Sequence, residues 1–175
     1  QIRNHIEKWT ENDIVCITYA DSIKKEGKVP LQTLKKFLDE NLKEQFSVVH
    51  ILPFFPYSSD DGFSVIDFRK VNPEVGSWGD IKQLTENFEL MADLVINHAS
   101  AKSRWFQNFL KQKGKGHDYF IAENPETDFS QVVRPRSTPL LTAFKTANGT
   151  KYVWTTFSAD QVDLNFSNPS LLIEM

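Results

Sequence analysis

"ADLVINHAS", residues 92–100, decides how the rest of the chain is read. Leu94-Val95-Ile96 is a short apolar run rich in β-branched residues, the pattern of a strand buried in a parallel sheet. Asp93 stands before it and Asn97-His98 after it. Taken alone, Asn-His-Ala-Ser reads as ordinary turn chemistry, and a single His at a strand end is more often structural than catalytic. The neighbouring segments decide between these readings.

Two further apolar runs, residues 14–19 and 48–52, read as strands. Between them Pro30 opens a helix whose Leu31, Leu34, Phe37, Leu38 and Leu42 share one face. A second helix begins at Ser77-Trp78-Gly79-Asp80, an N-cap with an acid three residues on, and Ile81, Leu84 and Phe88 form its apolar stripe. Strand–helix alternation of this kind predicts right-handed βαβ units and an α/β fold with a parallel sheet. After the third strand the alternation breaks. Residues 103–113 read as a short helix with Trp105, Phe106, Phe109 and Leu110 inward, followed by GKGHDYF and a long stretch rich in Pro, Thr, Ser and Asn. That stretch holds β-like pieces such as KYVWTTF (151–157) and too many aromatics for a solvated linker, so it reads as a small inserted subdomain. Asn168-Pro169 is a helix start, and SLLIEM begins an apolar helix that stops after two turns, so the chain is expected to be a cut piece of a longer one. The expected division is 1–102 for the first three β/α units, 103–160 for the insert and 161–175 for the return.

Composition narrows the function classes. The 175 residues are 40% hydrophobic and 25% charged with a formal net charge of −3, which suits a globular domain with one sizeable core. The lysines are scattered, so the electrostatic footprint of a nucleic-acid binder is missing. No run approaches a membrane span, and QIRNHIEKWTEND is too polar for a signal peptide. The lone Cys16 lies inside IVCIT and is expected to be a buried, inert thiol in a reducing cytoplasm, with no disulfide framework.

In parallel α/β folds, ligand-binding residues lie just beyond the carboxyl ends of the strands. Here those positions hold Tyr19 and Asp21, then PFFPYSSDDGFS (53–64), then Asn97 and His98. In the middle segment Gly62 lets the backbone turn beside Asp60, while Tyr57 and Phe63 offer flat faces. A carboxylate, an imidazole and aromatic faces together suit a pyranose ring, although Asp60-Asp61-Gly62 alone is equally a solvated turn.

The segments VHILPFFPYSSDDGFSVIDFRKVNPEVGSWGDI (49–81), DLVINH (93–98), RPRSTPLLT (134–142) and VWTTFSADQVDLNF (153–166) together resemble the sucrose phosphorylase branch of the α-amylase superfamily of glycoside hydrolases. SSDDGFSVID and RPRSTPLLT are most similar to its glucosylglycerate phosphorylase-like members. The resemblance implies the N-terminal part of a (β/α)8 TIM barrel, about three strands, with a subdomain inserted after the third. It also implies retaining transfer of an α-glucosyl unit from a sucrose-like glucoside to inorganic phosphate. By the same resemblance Asp60 holds glucose hydroxyls, Phe63 walls the donor pocket, His98 hydrogen-bonds the sugar, and Arg136 meets phosphate or the acceptor. Simple exposure of Arg134 and Arg136 on a loop has equal weight. Asp93 is expected to point inward and brace a cation on the next strand, with Asn97 and Asp163 in supporting roles. Asn97 matches a calcium ligand of other amylases, but one Asn without further oxygen ligands is a poor site, so neither metal nor cofactor is expected.

Retention requires two carboxyls about 5–5.5 Å apart, and the segments that carry them in this family are absent here. The expected partners are therefore an α-glucoside, phosphate and the C-terminal half of the barrel, with no nucleic acid or membrane. The rivals are an α-glucoside hydrolase and, from another class, a non-catalytic sugar-binding fragment. The isolated polypeptide is expected to be inactive and poorly soluble, its third strand leaving an unpaired edge. Assay of the purified chain checks this, and high turnover would contradict it.

Overall fold

The computed structural model describes residues 10, 11, 13–133 and 136–175. The expectation at the polar amino terminus therefore lies mostly outside the described residues, and that at Arg134 wholly so. The chain divides into two compact units, one of residues 1–54 and 71–93, the other of residues 55–70 and 94–175.

The first unit is the expected βαβ pattern. Strand β1 (Val15–Thr18), helix α1 (Pro30–Asn41), strand β2 (Val48–Ile51), helix α2 (Trp78–Leu84) and strand β3 (Glu89–Ala92) follow in order. All pairing is parallel, in the order β1-β2-β3, with Val15 opposite Val48 and Val48 opposite Glu89. Central β2 carries the buried Val48, Val49 and Ile51. Helix α1 buries Leu31, Leu34 and Leu38, all essentially inaccessible, while Phe37 lies at the margin of the stripe and stays 40% exposed. Val29 provides no side-chain cap for α1, and Pro30 at the first turn supplies the fixed φ instead.

Two expectations change here. The third strand is Glu89–Ala92, not 94–96. Its partner β2 is met through backbone hydrogen bonds in register with Val48–Ile51, whereas Leu94 is 71% and Ile96 38% exposed. Apolar content and pairing thus fall on different parts of one segment. Cys16 is half-buried rather than fully buried, because it lies on β1, whose other edge is unpaired among the described residues.

The second unit begins with one turn of 3₁₀ helix at Asp60–Gly62. It continues through β4 (His98–Ser100), α3 (Arg104–Lys111), β5 (Ala122–Glu123), β6 (Leu141–Thr146), β7 (Gly149–Trp154), β8 (Gln161–Asp163) and α4 (Pro169–Glu174). Strands β5, β7 and β6 form an antiparallel sheet in that order, and β4 pairs antiparallel with β8. Phe106 of α3 is fully buried and meets Phe109, Phe120 and Phe144 at ring centroids of 5.3, 4.9 and 4.7 Å. Gly116 is required where it stands: its φ is +83°, and a Cβ there would come within 2.6 Å of the Trp105 ring.

Asp80 organises the first unit. Ser77 and Asp80 form a reciprocal capping box, and Asp80 also accepts from Gln32 Nε2 of α1 at 2.7 Å. Burial opposes its charge, but the hydrogen bonds from Ser77 and Gln32 hold its carboxyl below the usual range. Asp80→Ala is expected to cost about 2 kcal/mol, seen as a lower urea midpoint with an unchanged slope.

Candidate sugar-binding site

The site is built within the second unit around the turn Ser58-Ser59-Asp60-Asp61-Gly62-Phe63-Ser64. Its flanks are tied as a hairpin: Tyr57 bridges Val65, and Ser58 N–H donates to the Ser64 carbonyl at 3.0 Å. At its tip Asp60, Asp61 and Gly62 all have positive φ, +56°, +48° and +106°. Glycine accepts that conformation freely, but the two aspartates adopt it at a cost. The result is an exposed Asp60 carboxylate above a buried Gly62.

Antiparallel pairing of β4 with β8 sets His98 opposite Asp163 and Ser100 opposite Gln161. Gln161 Nε2 donates to Asp60 Oδ2 at 2.8 Å and lies 3.1 Å from His98 Nε2, while its Oε1 accepts from Ser158 Oγ at 3.0 Å. These partners fix the amide orientation. His98 Nε2 is also 3.0 Å from the Phe63 carbonyl, which can only accept, so Nε2 carries the proton, the Gln161 amide nitrogen is its close neighbour and not its donor, and Nδ1 is left as a buried lone pair without a partner. His98 is 5% exposed. Burial pushes its pKa below the ordinary value, against the raising effects of the Phe63 carbonyl, Asp163 and Asp60, so the ring is neutral at pH 7. The Phe157 ring lies 5.1 Å from the imidazole, and the Arg136 guanidinium sits 5.9 Å from the Phe157 centroid. Asp163 accepts from the backbone and hydroxyl of Thr156. Beside it opens a cleft of about 450 Å³ lined by Asn97, Trp154, Thr156, Phe157, Asp163 and Phe166, among others.

Five of the sequence-predicted residues, Asp60, Phe63, His98, Arg136 and Asp163, therefore meet in one cluster. Asn97 is exposed on the adjoining cleft and uses its carbonyl to accept from Leu164 N–H. Asp93 is elsewhere: it takes His50 Nε2 at 2.9 Å in the first unit. The partner of Asp93 is thus an imidazole on the preceding strand and not the expected cation on the next one, because parallel register puts His50 opposite Met91, two residues from Asp93. Gln161, Phe157 and Asp160 escaped the sequence reading. The available signal was the alternation in Gln161-Val162-Asp163, which places two polar side chains on one face of a strand. Among the described residues no group of three or more His, Cys, Asp or Glu is arranged to hold a metal ion, and no helix is long and apolar enough to cross a membrane.

Residues 37–175 match the family described as "Alpha amylase, catalytic domain". The chain is 56% identical over 167 residues to the glucosylglycerate phosphorylase of Allomeiothermus silvanus, covering 95% of this chain and 30% of that protein. It is 56% identical to the glucosylglycerate phosphorylase of Spirochaeta thermophila, covering 93% and 28%. The crystal structure of sucrose 6F-phosphate phosphorylase from Thermoanaerobacter thermosaccharolyticum superposes with a TM-score of 0.84 at 32% identity, covering 98% of this chain and 37% of that one. The chain thus spans about a third or less of the length of these relatives.

Acidification tests the buried imidazole. Between the folded pKa and 6.5 the unfolded chain binds a proton that folded His98 refuses, so stability is full above pH 6.5 and falls as pH drops below it. His98→Asn is expected to flatten the fall in urea midpoint between pH 7.5 and 5 relative to the unsubstituted chain. Equal falls in both would contradict the neutral, buried imidazole.

Proposed function

The chain belongs to the α-amylase family of catalytic domains, and from that premise we propose that it is the N-terminal part of a retaining glycoside phosphorylase that acts on glucosylglycerate or a closely related α-glucoside. The observation that carries the reading is the hydrogen bond from Gln161 Nε2 to Asp60, with the His98 imidazole 3.1 Å from the same amide nitrogen. A carboxylate, an amide and a neutral imidazole are acceptors and donors for sugar hydroxyls, and an aromatic ring beside them suits the apolar face of a pyranose. The 56% identity to two glucosylglycerate phosphorylases supports the finer choice of substrate.

In this reading Asp60 holds hydroxyls of the transferred glucose and His98 hydrogen-bonds the same sugar. Phe63 walls the donor pocket. Arg136, held over Phe157, offers a cation to phosphate or to the carboxylate of a glycerate acceptor. Asn97 and Asp163 support the cleft. Retention needs a nucleophile and an acid/base, and we place both in the portion of the relatives' length that this chain does not span. Phosphate then attacks C1 of the glucosyl-enzyme and leaves as α-glucose 1-phosphate. The lone half-buried cysteine supports a cytoplasmic setting.

The test is an assay of the full-length protein that carries this sequence, with glucosylglycerate as donor. Glucose 1-phosphate formation that rises with inorganic phosphate is expected. Free glucose released at the same rate without phosphate would establish the hydrolase instead.

A further inference from the structure

We propose that Asp160 is a positioning residue: its carboxylate gathers the hydroxyls of Ser58, Ser59 and Ser64 and so holds the left-handed turn that presents Asp60. The inference rests on the sugar-binding reading of Asp60, but its structural part stands separately.

Ser58 Oγ, Ser59 Oγ and Ser64 Oγ lie 2.5, 2.6 and 2.9 Å from one oxygen, Oδ2. A carboxylate only accepts, so the hydroxyls of Ser58 and Ser59 donate to it, and the single Ser64 proton is shared between Oδ2 and the Asp160 backbone carbonyl, 3.1 Å from Ser64 Oγ. Ser100 Oγ, 2.5 Å from Ser58 Oγ, then donates to Ser58 and accepts from Lys102 N–H at 2.9 Å. Ser64 and Ser100 are fully buried, so these hydroxyls have no water to fall back on, and losing their acceptor is costly. The three donors flank the Asp60-Asp61-Gly62 tip on both sides. Two adjacent non-glycine residues in left-handed conformation persist only where their surroundings over-determine them. The backbone bonds Phe63 N–H to Asp60 carbonyl (2.9 Å) and Ser64 N–H to Ser59 carbonyl (3.3 Å) close the turn but do not anchor it to another element. Asp160 does. Its neighbour Gln161 holds the Asp60 carboxylate from the front, so two consecutive residues entering β8 grip the turn by its flanks and by its functional group. Burial opposes the Asp160 charge, yet the three serine hydrogen bonds, with Lys102 nearby, keep the carboxyl below its ordinary range.

Hydrogen exchange on the full-length protein that carries this sequence tests the grip. In Asp160→Ala the amides of Phe63, Ser64 and Ile66 are expected to exchange about tenfold faster, while those of β6 and β7 are unchanged. Ser59→Ala, which removes one donor at a half-buried position, is expected to give a smaller acceleration confined to the same amides. In the full-length protein, Asp160→Ala is expected to raise KM for the α-glucoside about tenfold and leave KM for phosphate unchanged. Unchanged exchange at the turn in both variants would overturn the proposal, as would faster exchange with an unchanged glucoside KM and a lower kcat alone. Should the unsubstituted full-length protein turn over no glucoside, the functional reading fails while the exchange arm still decides whether Asp160 holds the turn.

Discussion

Everything at the candidate site depends on the return of the chain at Gln161–Asp163 to lie antiparallel against His98–Ser100. Three residues on each side suffice, because both strands are wholly buried and the pairing leaves no choice of register. That register sets Asp163 beside His98 and Gln161 beside Ser100, and the residue before β8, Asp160, arrives at the serines of the 58–64 turn. Three segments remote in sequence thereby share one hydrogen-bonded network. A shift of one residue would turn Gln161 and Asp163 away and bring Val162 to the polar face.

The same network explains why a strained turn and a neutral imidazole occur together. Sugar hydroxyls are recognised by groups whose donors and acceptors are fixed in advance, since reorganisation at binding costs affinity. Asp60 gains fixity from Gln161 and from a backbone conformation that few other sequences would hold. His98 gains it from burial, which removes its charge, and from the Phe63 carbonyl, which selects the tautomer. Desolvation and strain are both unfavourable locally, and the hydrogen bonds through Asp160 and Gln161 offset them.

Much of this was legible beforehand because its signals are local. Helix α1 with its proline start, the capping box at Ser77 and Asp80, and the Asn168-Pro169 start of α4 stand where their sequence patterns put them. Asp60 and His98 stand out as candidates in the sequence because strand ends and a DDG turn can be seen in a single stretch, and the structure sets them in one cluster. What was not legible is non-local. Asp160 carries no pattern of its own, since its meaning comes from four serines 60 to 102 residues away that only the β4–β8 pairing brings near. Glu89–Ala92 is less conspicuous in the sequence than the neighbouring Leu94-Val95-Ile96 because apolar content advertises burial, whereas strand identity is settled by which backbone groups find partners. Asp93 met His50 rather than a cation ahead of it for the same reason.

The exposure of the first unit's sheet fits the proposed membership of a larger barrel. Strand β2 is paired on both sides and mostly buried, but β1 shows Ile17 at 63% and β3 shows Met91 at 38% exposure. A free-standing protein ordinarily protects such edges with charge, proline or a covering element, and among the described residues β1 carries neither charge nor proline within its strand while β3 carries one charge, Glu89. Closing a sheet into a barrel removes edges altogether. On the functional reading proposed here, the polypeptide that seals these edges is also the one that brings the nucleophile and the acid/base to the Asp60–His98 cluster, so completion of the fold and completion of the chemistry are a single event.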